Sequence, residues 1–103
     1  MNIQKLMKEA QKAQRQMADA QEKLASMSVE GSAGGGLVTA TATGDGTVTK
    51  VRIDPSAIDP EDVTLLEDLV SAAVSDAQRK AKELQEQELG SAVGGLGGLP
   101  GLL

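Results

Sequence analysis

No phenylalanine, tyrosine, tryptophan, cysteine or histidine occurs anywhere in the 103 residues. Each absence closes off a class of structure or chemistry. Without aromatic rings the chain lacks the side chains that supply much of the buried area of a small core. It also lacks the stacking platforms with which single-stranded nucleic acids are held. Without cysteine there is no disulfide to brace a domain this short. Without histidine or cysteine the usual zinc ligand sets are missing, along with the commonest general base and the thiol nucleophile. No apolar run is long enough to span a bilayer. The N-terminal stretch is polar and charged, so no secretory leader is expected. These exclusions predict a small non-enzymatic protein of the cytoplasm, with no cofactor, no metal and no membrane partner, that gains extra burial by self-association.

What is present is a strongly patterned chain. Residues 2–27 contain no Gly or Pro, and their apolar positions fall at Ile3, Leu6, Ala10, Ala13, Met17, Ala20, Leu24 and Met27. That is an unbroken heptad stripe, the seam of a two-helix coiled coil, with Asn2 as its N-cap. The stretch "SVEGSAGGG" (residues 28–36) ends the helix. Val29 and its neighbours fit a short strand, and the glycines fit a flexible or bulged connection. A phosphate-binding loop would need Gly-Lys-Ser/Thr leading into a helix, whereas these glycines lead into the strand-like "LVTATAT".

Residues 37–53 read as a hairpin about Asp45-Gly46, the favoured pair for a type I′ turn. A two-residue turn there sets Ala40 opposite Val51 and Val38 opposite Ile53 on an apolar face. It sets Thr41 opposite Lys50 and Thr39 opposite Arg52 on a polar, basic face. A lone hairpin is marginal, so helices must cover it. The segment "DPSAIDP" (residues 54–60) holds two Asp-Pro pairs. The first begins a turn, and the second is expected to cap a long helix over 60–89, with Asp59 as N-cap and Pro60 as its first residue. Val63, Leu66, Val70, Ala73, Ala77 and Leu84 share one face of that helix, beside Leu69, Val74 and Ala81. Its last turns, Gln85 to Glu88, are polar and expected to project into solvent. The domain is predicted to span 1–89. The remainder, 90–103, holds six of the twelve glycines and is expected to be a disordered tail.

The net charge of -5 is unevenly spread. Residues 1–15 carry Lys5, Lys8, Lys12 and Arg15 against Glu9, a balance of +3, whereas residues 54–76 carry seven acids and no base. The four bases lie on one helical stripe away from the apolar seam. Bases at a helix N-terminus work against the macrodipole. Their placement there therefore favours a binding role over a merely solvated flank. Lys50 and Arg52 form a second candidate pair, which a symmetry mate would extend into a basic floor. Arg79, Lys80 and Lys82 come third: Glu83, Glu86 and Glu88 cancel them, although Arg79 can reach a phosphate. The acidic run reads as a capped, solvated helix start.

The order and spacing of "LMKEAQKAQRQM", "GGGLVTATATGDGTVTKVRIDPS" and "EDVTLLEDLVSAAVSDAQRKAKEL" resemble the YbaB/EbfC family of bacterial nucleoid-associated proteins. The resemblance covers roughly residues 3–89. It implies an α+β fold with a long N-terminal helix, a small antiparallel sheet and a long C-terminal helix. It further implies a homodimer whose strands join in a central sheet while the long helices project as arms. The implied activity is sequence-tolerant binding of double-stranded DNA in the nucleoid, with other DNA-maintenance proteins as further partners. The DNA-contacting residues would be Lys5, Lys8, Lys12 and Arg15 on the arm, with Lys50, Arg52 and Arg79. Two other readings compete. A prefoldin-like chaperone or adaptor would grip partners through apolar arm tips, but these tips read as polar. A membrane-surface helix would need a larger apolar face than the Ala-rich first helix offers.

Overall fold

The computed structural model describes residues 2–93. Along the chain run α1 (Ile3–Ser26), β1 (Ser28–Ala33), β2 (Val38–Thr43), β3 (Val48–Ile53), a short 3₁₀ turn (Pro55–Ala57) and α2 (Val63–Val93). The strands form one antiparallel sheet in the order β1-β2-β3. Asn2 caps α1, its side chain accepting from the Gln4 and Lys5 N–H groups.

The hairpin register is the expected one: Val38 pairs with Ile53, Thr39 with Arg52, Ala40 with Val51 and Thr41 with Lys50. The turn that produces it is not type I′. Gly46 alone has a positive φ, 94°, and Asp45 does not. Gly46 N–H donates to the Thr43 carbonyl at 2.9 Å, and Thr43 N–H donates to the Thr47 carbonyl at 2.8 Å. The loop is thus one residue longer than expected. A bulge at Thr49 absorbs the extra residue, since Ala42 pairs with Val48 while Thr41 pairs with Lys50. One irregularity cancels the other, and the apolar and polar faces stay separate.

β1 is the short strand expected around Val29, six residues long. Gly34, Gly35 and Gly36, all at positive φ, turn it into β2. α2 lies across the apolar face of β1 and β2, and Val38, Ala40, Ala42, Ala73 and Ala77 form the buried cluster between them. Of the nine buried hydrophobic residues among those described, seven are alanine. Such a core gains little per side chain, because burial is worth only about 0.8 kcal/mol per methylene-sized group. It compensates by closeness. A Cβ at Gly31 would collide with the Ala73 carbonyl and the Ala77 backbone. Helix and strand therefore meet at backbone distance, with no room for even a Cβ at Gly31.

Three features of α2 differ from expectation. α2 begins at Val63, not at Pro60: Asp59 and Asp62 cap a preceding turn and the helix start by accepting from Glu61 and Leu65 N–H groups. Val63 is consequently 53% exposed rather than part of the core face. At the other end α2 continues through Gly90 to Val93, and residues 94–103 of the predicted tail lie outside the described residues. Finally, the polar turns from Gln85 to Glu88 do not simply project. The Gln85 amide donates to the Gly44 carbonyl at 2.9 Å, and Glu88 pairs with Lys23 at 3.1 Å. They tie the last turns of α2 to the hairpin tip and to the base of α1.

Replacing Gly31 by alanine must lift α2 from the sheet. Overpacking of this kind costs about 1–3 kcal/mol, and the urea midpoint, followed by far-UV circular dichroism, should fall accordingly. Gly90→Ala is the opposing control. It sits in α2 with open space around it, and should stabilise the helix by about 0.5–1 kcal/mol.

Candidate nucleic-acid interface

α1 is anchored only at its base. Ala20 and Leu24 are buried, Ala13, Met17 and Met27 are half-buried, and the other seam residues are exposed. The carbonyl of Leu24 lies so close to Gly44 that a Cβ there would overlap it, and Gly44 N–H donates to the Met27 carbonyl at 2.9 Å. The N-terminal turns of α1 thus form an arm. In the single chain the predicted coiled-coil seam is half unpartnered, and Ile3 is 69% exposed at its tip. The tip is therefore not purely polar as expected: Ile3, Leu6 and Met7 lie exposed among Gln4, Lys5 and Lys8.

The cations divide into two groups. Lys23, Arg79 and Lys80 are held in ion pairs. Among the described residues no ion pair involves Lys5, Lys8, Lys12, Arg15, Lys50, Arg52 or Lys82, all of which are exposed. Lys5, Lys8, Lys12 and Arg15 line one side of the arm over about 15 Å of helix. Lys50 and Arg52 form a separate group on the polar face of β3, opposite Thr41 and Thr39. Arg52 lines a shallow cleft there with Glu30, Thr39 and Asp54. Arg79 stands apart from both groups, bound to Asp76 at 2.9 Å and Glu83 at 2.7 Å. Lys82, which sequence reading set against neighbouring glutamates, is by contrast unpaired. The heptad spacing contained the arm stripe, but only side-chain rotamers distinguish Arg79 from Lys82.

One cluster escaped sequence reading altogether. The Asp76 carboxylate accepts from the Ser32 N–H at 3.0 Å, and the Lys80 ammonium donates to the Glu30 carbonyl at 2.9 Å. These are outward-facing backbone groups of β1. Side chains of α2 therefore occupy the β1 edge, whereas the β3 edge carries no strand. An open edge is a template for pairing with another strand. The Arg79 guanidinium, followed by the Ser32 N–H, holds the Asp76 carboxyl below its ordinary 3.8. Asp76 in turn raises Arg79. At the hairpin tip, the Thr43 hydroxyl and the Thr47 N–H likewise lower Asp45.

The model of the YbaB/EbfC DNA-binding family matches residues 1–96. A nucleoid-associated protein of Saccharopolyspora erythraea is 54% identical over 101 residues, covering 98% of this chain and 87% of that one. A nucleoid-associated protein of Acetivibrio thermocellus is 50% identical over 101 residues, with 98% and 89% covered. In structure the chain resembles an uncharacterized protein of Helicobacter pylori, with a TM-score of 0.79 at 19% identity over 90% of this chain and 98% of the other. That likeness concerns the fold: two long helices flanking a three-stranded antiparallel sheet.

Asp76 also sets an acid limit. Because its folded pKa is depressed, its contribution is complete above the ordinary 3.8 and is lost as pH falls through the lower folded value. An Asp76→Asn variant should therefore be less stable than the parent at neutral pH. The gap in urea midpoint should narrow steadily below 3.8. A gap independent of pH would show that the carboxylate charge is not what holds the β1 edge.

Proposed function

This chain belongs to the YbaB/EbfC DNA-binding family, and on that premise we propose that it binds double-stranded DNA in the bacterial nucleoid as a homodimer. The relatives' description as nucleoid-associated proteins supports the same reading. The observation that carries the site assignment is the division of its cations. Lys23, Arg79 and Lys80 are held by carboxylates, while four of the seven cations unpaired among the described residues, Lys5, Lys8, Lys12 and Arg15, stand together on an exposed arm. Such a stripe suits phosphates rather than base edges: long flexible ammonium groups neutralise the backbone and read no sequence. Lys50 and Arg52 supply a second, weaker contact. Arg79 reaches DNA only by exchanging its carboxylate partners, and contributes least. Among the described residues no helix is long and apolar enough to cross a membrane.

The dimer joint belongs at β3. Its edge is open while the β1 edge is occupied, and Val51, on its apolar face, is 38% exposed beyond the cover of α2. Antiparallel pairing with a second β3 would bring two sets of Lys50 and Arg52 onto one floor between two arms. Residues 1–89 act as the dimerising, DNA-binding unit in this reading. An adaptor or chaperone role is favoured by one observation, the exposed Ile3, Leu6 and Met7. Suppression of client aggregation without any DNA binding would establish that role instead.

The test is titration of labelled duplex DNA across a salt series, since the protein has no fluorophore of its own. The logarithm of affinity should fall linearly with that of salt, and each neutralised phosphate contact removed should flatten the slope by about 0.9. Lys5→Glu, Lys8→Glu, Lys12→Glu and Arg15→Glu together should abolish binding. Acids near a helix N-terminus favour the macrodipole, so this variant should still fold. Arg79→Gln should leave the slope almost unchanged. Undiminished binding by the fourfold variant would remove the arm from the interface.

A further inference from the structure

Apart from Val51, the large hydrophobic residues left exposed among the described residues fall in two stretches of the chain. One is Ile3, Leu6 and Met7 at the tip of α1. The other is Ile58, Val63 and Leu65, each more than 50% exposed, where the chain enters α2. Their surroundings have opposite charge. Lys5 and Lys8 flank the first, within a stretch of net charge +3 over residues 1–15. Six acids and no base surround the second over residues 54–68. Asp54, Asp59 and Asp62 are used locally, accepting from neighbouring backbone N–H groups. Glu61, Glu67 and Asp68 are exposed and make no ion pair among the described residues. Glu67 lies one turn beyond Val63 and Asp68 one turn beyond Leu65, so the acids border the apolar residues on the helix surface.

The two clusters cannot meet within one chain. Leu24, Gly44 and Gln85 lie together at one end of the sheet, while Leu69 packs at Gly34, at the other. Val63 precedes Gln85 by about 33 Å of helix, and Ile3 precedes Leu24 by about 31 Å in the arm. The molecule is 71 Å long and only 26 Å wide. We infer that the arm tip of one copy docks on the acidic apolar collar around Val63 of another copy, linking molecules end to end. Apolar burial and the lysine–glutamate rim attract together, the rim also setting orientation and partner choice, so that screening the rim with salt releases the contact. The contact is heterologous, so each molecule keeps a free tip and a free collar and the assembly propagates. One consequence alone rests on the DNA reading above: Lys5 and Lys8 cannot serve phosphates and the collar together, so duplex should disperse the assembly.

The test needs no DNA. Weight-average mass of the full chain is followed by light scattering against protein concentration, at low and high salt. The wild type should grow with concentration at low salt and settle at its smallest species at high salt. Lys5→Glu/Lys8→Glu should lose this growth, and so should Glu61→Lys/Glu67→Lys, both retaining the wild-type helical spectrum. Mixed in equal amounts, the two variants restore complementary contacts in both directions, and growth should return. A wild-type mass independent of concentration would overturn the inference. So would persistent growth in the collar variant, or a mixture that stays dispersed. If the collar variant also lost the smallest wild-type oligomer, the collar would belong to the dimer joint instead. DNA binding by the collar variant, measured separately, bears only on the preceding proposal.

Discussion

α2 can approach the sheet only because Gly31 has no side chain. Its backbone crosses β1 at a separation that a single Cβ would violate, and Ala73 and Ala77 are the residues of α2 that stand there. The rest of the small-sided sheet follows from that distance. Ala40 and Ala42 fill the neighbouring positions of β2, with Val38 as the one larger side chain wholly buried. The gap between helix and sheet at this point would not admit an aromatic ring. Gly44 plays the same part at the hairpin tip, where the Leu24 carbonyl comes down on it. Two glycines thus fix where α2 crosses the sheet and where the base of α1 meets the hairpin tip.

This tight centre leaves the ends of the helices exposed. α1 is held only at its base, by the Lys23–Glu88 pair to α2 and by the close approach of Leu24 to Gly44. Its cations are therefore carried away from the acidic body on a lever of about 30 Å. That separation allows a protein of net charge -5 to present a positive surface, since fields of exposed charges are screened within about 10 Å at moderate salt. The same arrangement exposes Ile3, Leu6 and Met7, so arm chemistry is amphipathic rather than simply basic.

The sheet edges are unequal for a related reason. α2 lies over β1 and β2, and its Asp76 and Lys80 reach round to the Ser32 N–H and the Glu30 carbonyl. β3 lies beyond its cover, with an open edge, a partly exposed Val51 and two unpaired bases on its polar face. A core dominated by alanine gains from further burial there, and an antiparallel second β3 is the simplest way to supply it.

The sequence by itself determined the elements and their faces. Alternation in "VTATAT" and "VTKVRI" set which residues of the hairpin face the helix, and the heptad stripe made α1 one uninterrupted helix with its bases on a separate side. These are local periodicities, and they survive errors of detail: the turn was longer than expected, yet the Thr49 bulge returned Lys50 and Arg52 to the same partners. Tertiary structure alone decided what those faces meet. Nothing in the local pattern says that Gly31 is a contact point rather than a flexible joint, or that Asp76 ties down a strand 44 residues earlier. Nor does it reveal that Gln85 grips a hairpin carbonyl, or that Arg79 is engaged while Lys82 is not. The alanines and the heptad residues announce burial, but whether the cover comes from this chain or from a second copy depends on where α2 lies, and that is set by one backbone approach far away in sequence.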